Sequence, residues 1–452
     1  MEYSYKDSGV EWIGEIPNHW KVTKLKRVLS ESLKYGANES AELEDKYLPR
    51  YIRITDFGEN GKLKESTFKS LPHEIADQFP LVEGDVLFAR SGATVGKTFQ
   101  FKNYKGQACY AGYLIKASPS KWLLDSDFLF FFTKSIAYDQ WKNIIFTQAT
   151  IQNIGADKYQ YLPLTLPPIS EQQAIADYLD KACTRIDRII EIKEKQLKRI
   201  GEYFKSKTFE FLTNGTLNEK LKTTEFIWMP EIPQNWKVVR LKSVVSKINS
   251  GVTPKGGATS YVKEGIPLIR SQNVKFNSLD FSDVVFIPEQ THHKMSNSKV
   301  ENGDVLLNIT GASLGRCFYA KNIEEANVNQ HVCILRPFEF IITKFLYYLL
   351  FSEIGQSQIF SGFKGSGREG LNFEAIKSFV LPLPPKPEQE EIVKKLDILV
   401  SRIQTQKGLI KSQIKTLKSY RKSLIHECVT GKKQVVFQEN IITENEASLM
   451  DN

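Results

Sequence analysis

The stretch Leu166-Pro167-Pro168-Ile169-Ser170-Glu171-Gln172-Gln173 opens the segment that decides the fold, and this segment runs on to Thr213-Asn214-Gly215. A second segment of the same kind begins at Leu383-Pro384-Pro385-Lys386-Pro387-Glu388-Gln389-Glu390 and ends at Thr430-Gly431. Each segment is much longer than the usual globular helix, and its apolar stripe needs a partner in water. The duplication supplies that partner, so the sequence predicts two long helices that pack together.

Start and stop signals bound both segments. Prolines disfavour a helix before Ser170, and Ser170 with Gln173 predicts a capping box for the first amides. Gly215 and Gly431 supply the stops. We interpret the stripes as the seam of a coiled coil, with ordinary buried helices as the alternative. The stripes are Ile175, Leu179, Ala182, Ile186, Ile190, Leu197, Ile200, Phe204 and Phe211, then Ile392, Leu396, Leu399, Ile403, Ile410, Ile414, Leu417, Leu424 and Cys428.

Length and composition bound the class of protein. The chain has 452 residues, of which 41% are hydrophobic, and this length is typical of two domains. It shows neither an apolar run of membrane-spanning length nor the apolar core of a signal peptide, which predicts a cytoplasmic protein without a membrane segment. Five scattered cysteines without a CxxC pair argue against a disulfide framework or a zinc site. The net charge of +9 suits a polyanionic partner.

The globular part of the chain is also written twice. Residues 12–25 return as 228–241, and residues 84–97 return as 303–316. Short β-rich runs between glycines, prolines and asparagines, with a helix around each aromatic run, predict an α+β class with an internal pseudo-twofold repeat. The predicted bounds are 1–165 and 216–382 for the two α+β domains, 166–215 and 383–432 for the helices, and 433–452 for a disordered tail.

No catalytic motif survives inspection. Ser91–Thr98 nearly spells a phosphate-binding P-loop, but Ser91 stands where glycine is needed and the second copy has Arg316 and Cys317 at the critical positions. The adjacent histidines 292 and 293 make a poor metal pair, since adjacent strand residues point to opposite faces. We therefore predict a protein without an active site or a bound metal.

Polar and basic residues on the β-rich loops are the candidate nucleic-acid contacts. Arg, Asn and Gln can make two hydrogen bonds to a base edge, while Lys and loop amides suit phosphates. Arg53 and Arg270 recur in both copies, which indicates a shared phosphate contact or a domain salt bridge. A purely structural role is the alternative for each candidate. The candidates are Arg53, Asp56, Arg90 and Lys97 in the first copy, and Arg270, Asn273, Asn308, Thr310, Arg316, Gln330, Lys364, Ser366 and Arg368 in the second.

With these motifs in place, the chain resembles the specificity subunit of type I restriction-modification enzymes over about residues 10–432. The first copy departs from the second at Ala111-Gly112-Tyr113, which we align with Gln330-His331-Val332. The motifs that carry the resemblance are Ile-Pro-x-x-Trp at 16–20 and 232–236, Gly-Asp-Val-Leu at 84 and 303, Asn329-Gln330-His331-Val332, and Leu-Pro-Leu-Pro-Pro-x-x-Glu-Gln at 381–389.

The resemblance implies two target-recognition domains that each read one half of a split double-stranded DNA sequence. It implies antiparallel helices that also bind two methyltransferase subunits, with restriction/translocase subunits joining for restriction. S-adenosylmethionine, ATP and magnesium are then expected on those partners and no cofactor on this non-catalytic chain. The alternatives are the specificity subunit of another multisubunit restriction system, a coiled-coil scaffold that binds no DNA, and a fused methyltransferase-reader.

Overall fold

A computed structural model describes residues 4–58, 61–92, 94–147, 153–216, 219–254, 256–364 and 370–435. The chain divides into two compact units, of which unit 1 holds residues 1–193 and 412–452 and unit 2 holds residues 194–411. Each of the two long helices therefore contributes one part to each unit. The tail predicted to be disordered lies outside the described residues beyond residue 435.

Unit 1 combines short strands with helices, and its last helix continues into unit 2. Its elements are β1 (Tyr5–Asp7), β2 (Glu15–Pro17), β3 (Lys21–Lys24), β4 (Lys34–Tyr35), β5 (Arg50–Ile52), α1 (His73–Ala76), β6 (Val86–Ala89), β7 (Thr98–Gln100), β8 (Ala108–Tyr110), β9 (Leu114–Ala117), α2 (Ser126–Phe132), α3 (Ile136–Thr147), α4 (Ala156–Tyr159), β10 (Pro163–Leu166) and α5 (Ile169–Asn214).

Unit 2 repeats this arrangement, and its last helix continues into unit 1. Its elements are β11 (Leu221–Phe226), β12 (Met229–Pro233), β13 (Lys237–Arg240), β14 (Val245–Ser250), β15 (Ile266–Ile269), β16 (Val285–Ile287), α6 (Glu289–Lys294), β17 (Val305–Asn308), β18 (Cys317–Tyr319), β19 (Asn327–Val328), β20 (Val332–Pro337), α7 (Thr343–Phe351), α8 (Glu353–Lys364), α9 (Phe373–Ser378), β21 (Val380–Leu383) and α10 (Lys386–Val429). The mixed strand and helix content confirms the predicted α+β class.

Each unit is built on a four-stranded antiparallel sheet. The order is β4-β9-β6-β7 in unit 1 and β14-β20-β17-β18 in unit 2. A parallel pair lies beside each sheet, β5 with β8 and β15 with β19. A further antiparallel pair joins the strand before each long helix to an early strand of its unit, β10 to β3 and β21 to β13. The two units thus share one strand framework.

The central strand of each sheet, β6 in unit 1 and β17 in unit 2, is buried on both faces. This burial explains its unbroken apolar run. In β17, Val305 and Leu307 join the core cluster that contains Phe345 of α7. Leu306 points the other way and joins the cluster that contains Ile269 of β15. Successive strand residues face opposite sides, so one strand anchors a helix layer and a second sheet. Each such side chain stabilises the fold by about 1.5–3 kcal/mol when fully buried.

The Gly-Asp pair before this strand has a structural role. Gly84 and Gly303 both adopt a φ of +96°, a conformation that other residues rarely adopt. The carboxylate of Asp85 accepts a hydrogen bond from the Val82 amide at 2.9 Å, and that of Asp304 accepts one from the Glu301 amide at 2.7 Å. The motif therefore closes the turn that leads into the central strand.

The long helices start differently from the prediction. The predicted Ser170 cap is wrong, because α5 already includes Ile169 and Ser170, and the amides of Glu171 and Gln172 donate to the carbonyl of Pro168. The side chain of Gln172, two residues after Ser170, makes tertiary contacts. It accepts from the Asp125 amide at 2.8 Å and donates to the carbonyls of Leu123 and Pro167. Gln389 does the same in unit 2.

The helices end where the sequence predicts. Gly215 follows α5 with a φ of +73°, and Gly431 follows α10 with a φ of +76°. All residues of both predicted stripes are buried or half-buried. In unit 1 the first part of α5 is joined to the last part of α10 by an ion pair between Arg421 Nε and Asp187 Oδ1 at 3.0 Å. Among the described helices, none combines the length and the hydropathy that crossing a bilayer requires.

Candidate DNA interface

Strand register gathers the unit 1 candidates at one end of its sheet. Ala89 at the end of β6 pairs with Leu114 at the start of β9, and Tyr35 at the end of β4 pairs with Ile115. The turn from β6 into β7 closes at the same end, because Phe88 pairs with Thr98. The residues that follow or precede these strand ends therefore lie together: Tyr35, Arg90, Lys97 and Tyr113.

The unit 1 sheet end is aromatic and cationic. The Arg90 guanidinium lies 4.7 Å from the centroid of the Tyr35 ring, and the Arg90 amide donates to the Tyr113 carbonyl at 3.0 Å. Tyr113 is 65% exposed. Lys97 is exposed and lies 6.0 Å from the Phe57 ring centroid. A stacked arginine, an exposed lysine and exposed tyrosine rings can contact phosphates and the faces or edges of bases.

Arg53 and Asp56 form one paired unit at the end of β5. Arg53 Nη2 lies 3.1 Å from Asp56 Oδ1 and donates to the Thr67 carbonyl at 2.6 Å. The Asp56 side chain has no exposed surface, whereas that of Arg53 is 24% exposed. Asp56 therefore anchors the turn and orients Arg53, and its burial removes it from the contacts that we propose.

Arg270 and Asn273 repeat this pairing in unit 2. The Arg270 amide donates to Asn273 Oδ1 at 2.9 Å, as the Arg53 amide does to Asp56 Oδ2 at 2.6 Å. Asn273 is 1% exposed, and its Nδ2 donates to the carbonyl of Asp280 and the carboxylate of Asp283. Asn273 is likewise a buried anchor. Arg270 is 21% exposed and donates to the Asp283 carbonyl at 2.7 Å.

The same end of the unit 2 sheet carries different side chains. Asn308, at the end of β17, is fully buried and donates from Nδ2 to the Ser271 carbonyl at 2.7 Å, so it ties the sheet to the segment after Arg270. No described residue donates to its Oδ1. Arg316 immediately precedes β18 and is half-buried. Asn308 is thus a structural link rather than an accessible reader.

A chain of polar side chains crosses this sheet end. Thr310 Oγ1 lies 2.6 Å from His331 Nδ1, and His331 Nε2 lies 3.1 Å from Gln330 Nε2. Thr253 then donates its hydroxyl to Gln330 Oε1. Sequence reasoning selected Thr310 and Gln330 as candidate contacts but did not select Thr253 or His331. The adjacency of Gln330 and His331 at a strand start was the signal that could have found the histidine.

The alignment of the two copies at this loop is wrong by one residue. Asn308 pairs with Val332 as Ala89 pairs with Leu114, so Val332 corresponds to Leu114. His331 is therefore the counterpart of Tyr113, and its carbonyl accepts from the Ile309 amide as that of Tyr113 accepts from Arg90. Gln330 falls opposite Gly112. Sequence matching missed this because the loop chemistry differs completely.

The side chains of three candidates are not among the described parts of the chain. Ser366 and Arg368 lie outside the described residues, and the side chain of Lys364, at the end of α8, is not described either. Within the described ranges, no three His, Cys, Asp or Glu side chains lie close enough to hold a metal. All five cysteines are buried, and burial raises the pKa of the Cys183 thiol to about 11 and that of Cys109 to about 12. These thiols are poor nucleophiles.

Comparisons with known proteins agree with this geometry. The profile of the family described as type I restriction modification DNA specificity domain matches residues 17–225 and 233–416. The type I restriction enzyme MjaVIII specificity subunit of Methanocaldococcus jannaschii is 25% identical over 448 residues, covering 96% of this chain and 98% of that protein.

Solved structures support the fold. One solved chain comes from a study of the structural basis of complex assembly and conformational transition of the type I R-M system. It is 16% identical, with a TM-score of 0.72 over 92% of this chain and 99% of that chain. The HsdS subunit from Thermoanaerobacter tengcongensis is 17% identical, with a TM-score of 0.53 over 92% of this chain and 98% of that chain.

Proposed function

Because this chain belongs to the family of type I restriction modification DNA specificity domains, we propose that it is the specificity subunit of a type I restriction-modification complex. In this role it reads a bipartite double-stranded DNA target and recruits the subunits that modify and cut DNA. The chain itself catalyses nothing. Its site in the cell is the cytoplasm, where the DNA and the partner subunits are found.

The proposal rests on one observation: the two units share a strand framework but present different side chains at the same end of the sheet. Both units present the end of the same four-stranded sheet, but Arg90 with two tyrosines occupies it in unit 1 and a Thr-His-Gln chain occupies it in unit 2. Gly36 and Gly251 let the strands approach closely at this point, since an added Cβ would lie 2.1 Å and 1.6 Å from a carbonyl oxygen. A strand framework that both units share, with different side chains at its end, suits two readers of different half-sites.

The proposed contacts divide by chemistry. Arg53 and Arg270 occur at equivalent positions in both units, which suits sequence-independent phosphate contact. Side chains that differ between units suit base reading. The proposed contact set is Arg53, Arg90 and Lys97 in unit 1 and Arg270, Thr310, Arg316 and Gln330 in unit 2, to which Lys364, Ser366 and Arg368 are added on sequence grounds.

The long helices form the spacer in this proposal. We take α5 and α10 as an antiparallel coiled coil between two target-recognition domains, 1–165 and 216–382, related by a pseudo-twofold repeat. The burial of the stripes and the Arg421 to Asp187 ion pair support this arrangement. Two methyltransferase subunits bind along it and carry S-adenosylmethionine, while restriction subunits carry ATP and magnesium.

A domain exchange tests the proposal. Residues 216–382 are replaced by the equivalent domain of a relative with another target, the chain is expressed with its methyltransferase, and methylated bases are mapped across the genome. We expect one half of the recognised sequence to change and the other to stay. The reciprocal exchange of residues 1–165 is the matched control and should change the opposite half. A change in both halves, or methylation that does not depend on this chain, would refute the proposal.

A further inference from the structure

The loop between β19 and β20 is held from three sides. The Asn329 amide donates to the Ile269 carbonyl at 3.1 Å, and the Gly251 amide donates to the Asn329 carbonyl at 3.1 Å. The Ile309 amide donates to the His331 carbonyl at 3.0 Å. Residues at or just after the ends of three different strands therefore fix the backbone around Gln330, whose own side chain is exposed. Such a rigid mount is what a reading side chain needs.

The side-chain hydrogen bonds also occupy one position on each of the two amide atoms of Gln330. Thr253 donates to Oε1, and Nε2 can only donate, so the Nε2 of His331 must accept from it. A neutral imidazole that accepts at Nε2 carries its proton on Nδ1, and that proton points to Thr310 Oγ1 at 2.6 Å. In the reversed amide, Nε2 would donate to the Thr253 hydroxyl oxygen and Oε1 would accept from His331, so either orientation uses one position on each of the two amide atoms.

Either orientation leaves two groups of the Gln330 amide available to a ligand. Oε1 keeps one lone pair, and Nε2 keeps one N–H, so the free edge presents an acceptor beside a donor. In the major groove, adenine alone presents the complementary pair, the N6 donor beside the N7 acceptor. Guanine offers two acceptors, cytosine one donor, and thymine one acceptor with a methyl group.

We infer that Gln330 reads one adenine in the half-site of unit 2, with Thr253 and His331 as the positioning residues. This inference rests on the proposed function, because it requires that the sheet end faces DNA. It is confined to unit 2. The counterpart in unit 1 is Gly112, where an added Cβ would lie 2.1 Å from Asn38 Oδ1, so no side chain fits there without movement.

The test uses the chain in complex with its methyltransferase and the duplex target defined by methylation mapping. Duplexes that carry 7-deazaadenine at one adenine at a time remove the N7 acceptor without changing base pairing. We expect the wild-type complex to lose affinity at one adenine of the unit 2 half-site, and Gln330→Ala to lose that discrimination by roughly 5- to 150-fold. Gln330→Glu, which presents only acceptors, should change the preferred base at that position from adenine to cytosine.

His331→Ala separates positioning from folding. It should weaken discrimination at the same base pair as Gln330→Ala and add little to it in the double variant, whereas a general loss of structure would weaken binding at all positions. The matched control is Gln234→Ala, an exposed glutamine at the turn between β12 and β13, which should leave every position unchanged. Thermal unfolding of each variant checks that the fold persists.

The outcomes distinguish this inference from the function on which it rests. A wild-type complex without any sequence preference would overturn both. A wild-type complex with a clear target, together with a Gln330→Ala variant that discriminates every adenine as before, would overturn the inference alone. A Gln330→Glu variant that still prefers the same adenine would do so as well.

Discussion

Gln389 should be among the most sensitive residues of unit 2, although it lies at the start of a helix far along the chain. Its side chain is 1% exposed and meets three backbone groups: Oε1 accepts from the Ile342 amide at 2.9 Å, and Nε2 donates to the carbonyls of Phe340 and Pro384 at 3.1 Å and 3.0 Å. The substitution Gln389→Ala removes all three bonds. It thereby detaches the segment before α7 from the start of α10.

The expected cost follows from these contacts. Each hydrogen bond contributes about 1 kcal/mol net, and a buried partner left without a bond costs about 1–3 kcal/mol. Because water can reach part of the opened site, we expect a loss of about 2–4 kcal/mol rather than the full sum. At about 1.4 kcal/mol per factor of ten, local opening around Ile342 should become roughly 30- to 700-fold more frequent.

The assay is amide hydrogen exchange of the peptide that contains Ile342, followed by mass spectrometry, with urea unfolding of the whole chain beside it. Gln406→Ala is the matched control, because Gln406 is an exposed glutamine of the same helix. It should change stability by less than about 0.5 kcal/mol. Unchanged protection of Ile342 in Gln389→Ala would refute the view that this glutamine clamps the domain to the helix.

Three further predictions concern spacing, pH and salt. Four residues inserted after Gln196, about one helical turn, should change the distance between the methylated half-sites, and an unchanged distance in an active protein would contradict the spacer. Burial and the nearby charge of Lys97 lower the pKa of Lys134 from 10.5 to about 7. Between these two pH values Lys134 is protonated in the unfolded chain but not in the folded one, so the free energy of unfolding should rise with pH above 7. Lys134→Met should flatten that rise in urea titrations, and Lys121→Met, an exposed lysine, should not. Duplex affinity should fall as salt rises, and Arg53→Ala should reduce the slope of log affinity against log salt without changing base preference.

Much of the fold was predictable because its signals are local. The helix ends depend on Gly215 and Gly431, whose positive φ angles only glycine adopts readily, and the stripes depend on helical period. Each of these signals occurs in both copies of the repeat, which strengthens the prediction of the helices. The turn before each central strand was equally visible, since Gly84 and Gly303 each precede an aspartate that closes the turn.

The failures concern residues whose partners are distant in sequence. Ser170 looked like a cap, but the helix had already begun, and Gln172 was used for bonds to a loop near Leu123. Asp56 and Asn273 looked accessible, yet each is buried beneath an arginine three residues earlier. A single sequence does not distinguish a polar side chain that faces solvent from one that satisfies buried backbone groups.

The two ends of the central strand have different roles. Its start holds residues that stabilise the fold, and its other end holds the residues that we propose to read DNA. At its start, the buried carboxylate of Asp85 needs a nearby cation, and Lys116 supplies it, with Nζ 2.9 Å from Glu31 Oε1 and 4.0 Å from Asp85 Oδ2. In unit 2 the equivalent Asp304 takes its cation from Arg336 instead, with Nε 2.8 Å from Oδ1.

Two positions can therefore satisfy the same buried charge, which is why the copies do not match in sequence there. The other end of the strand carries Arg90 in unit 1 but Ile309 and Thr310 in unit 2. Substitutions at that end alter what the sheet presents while the charge pair at the start stays intact. Changes of DNA target should therefore cost little folding stability when they are confined to exposed side chains at that end, such as Tyr113 and Gln330.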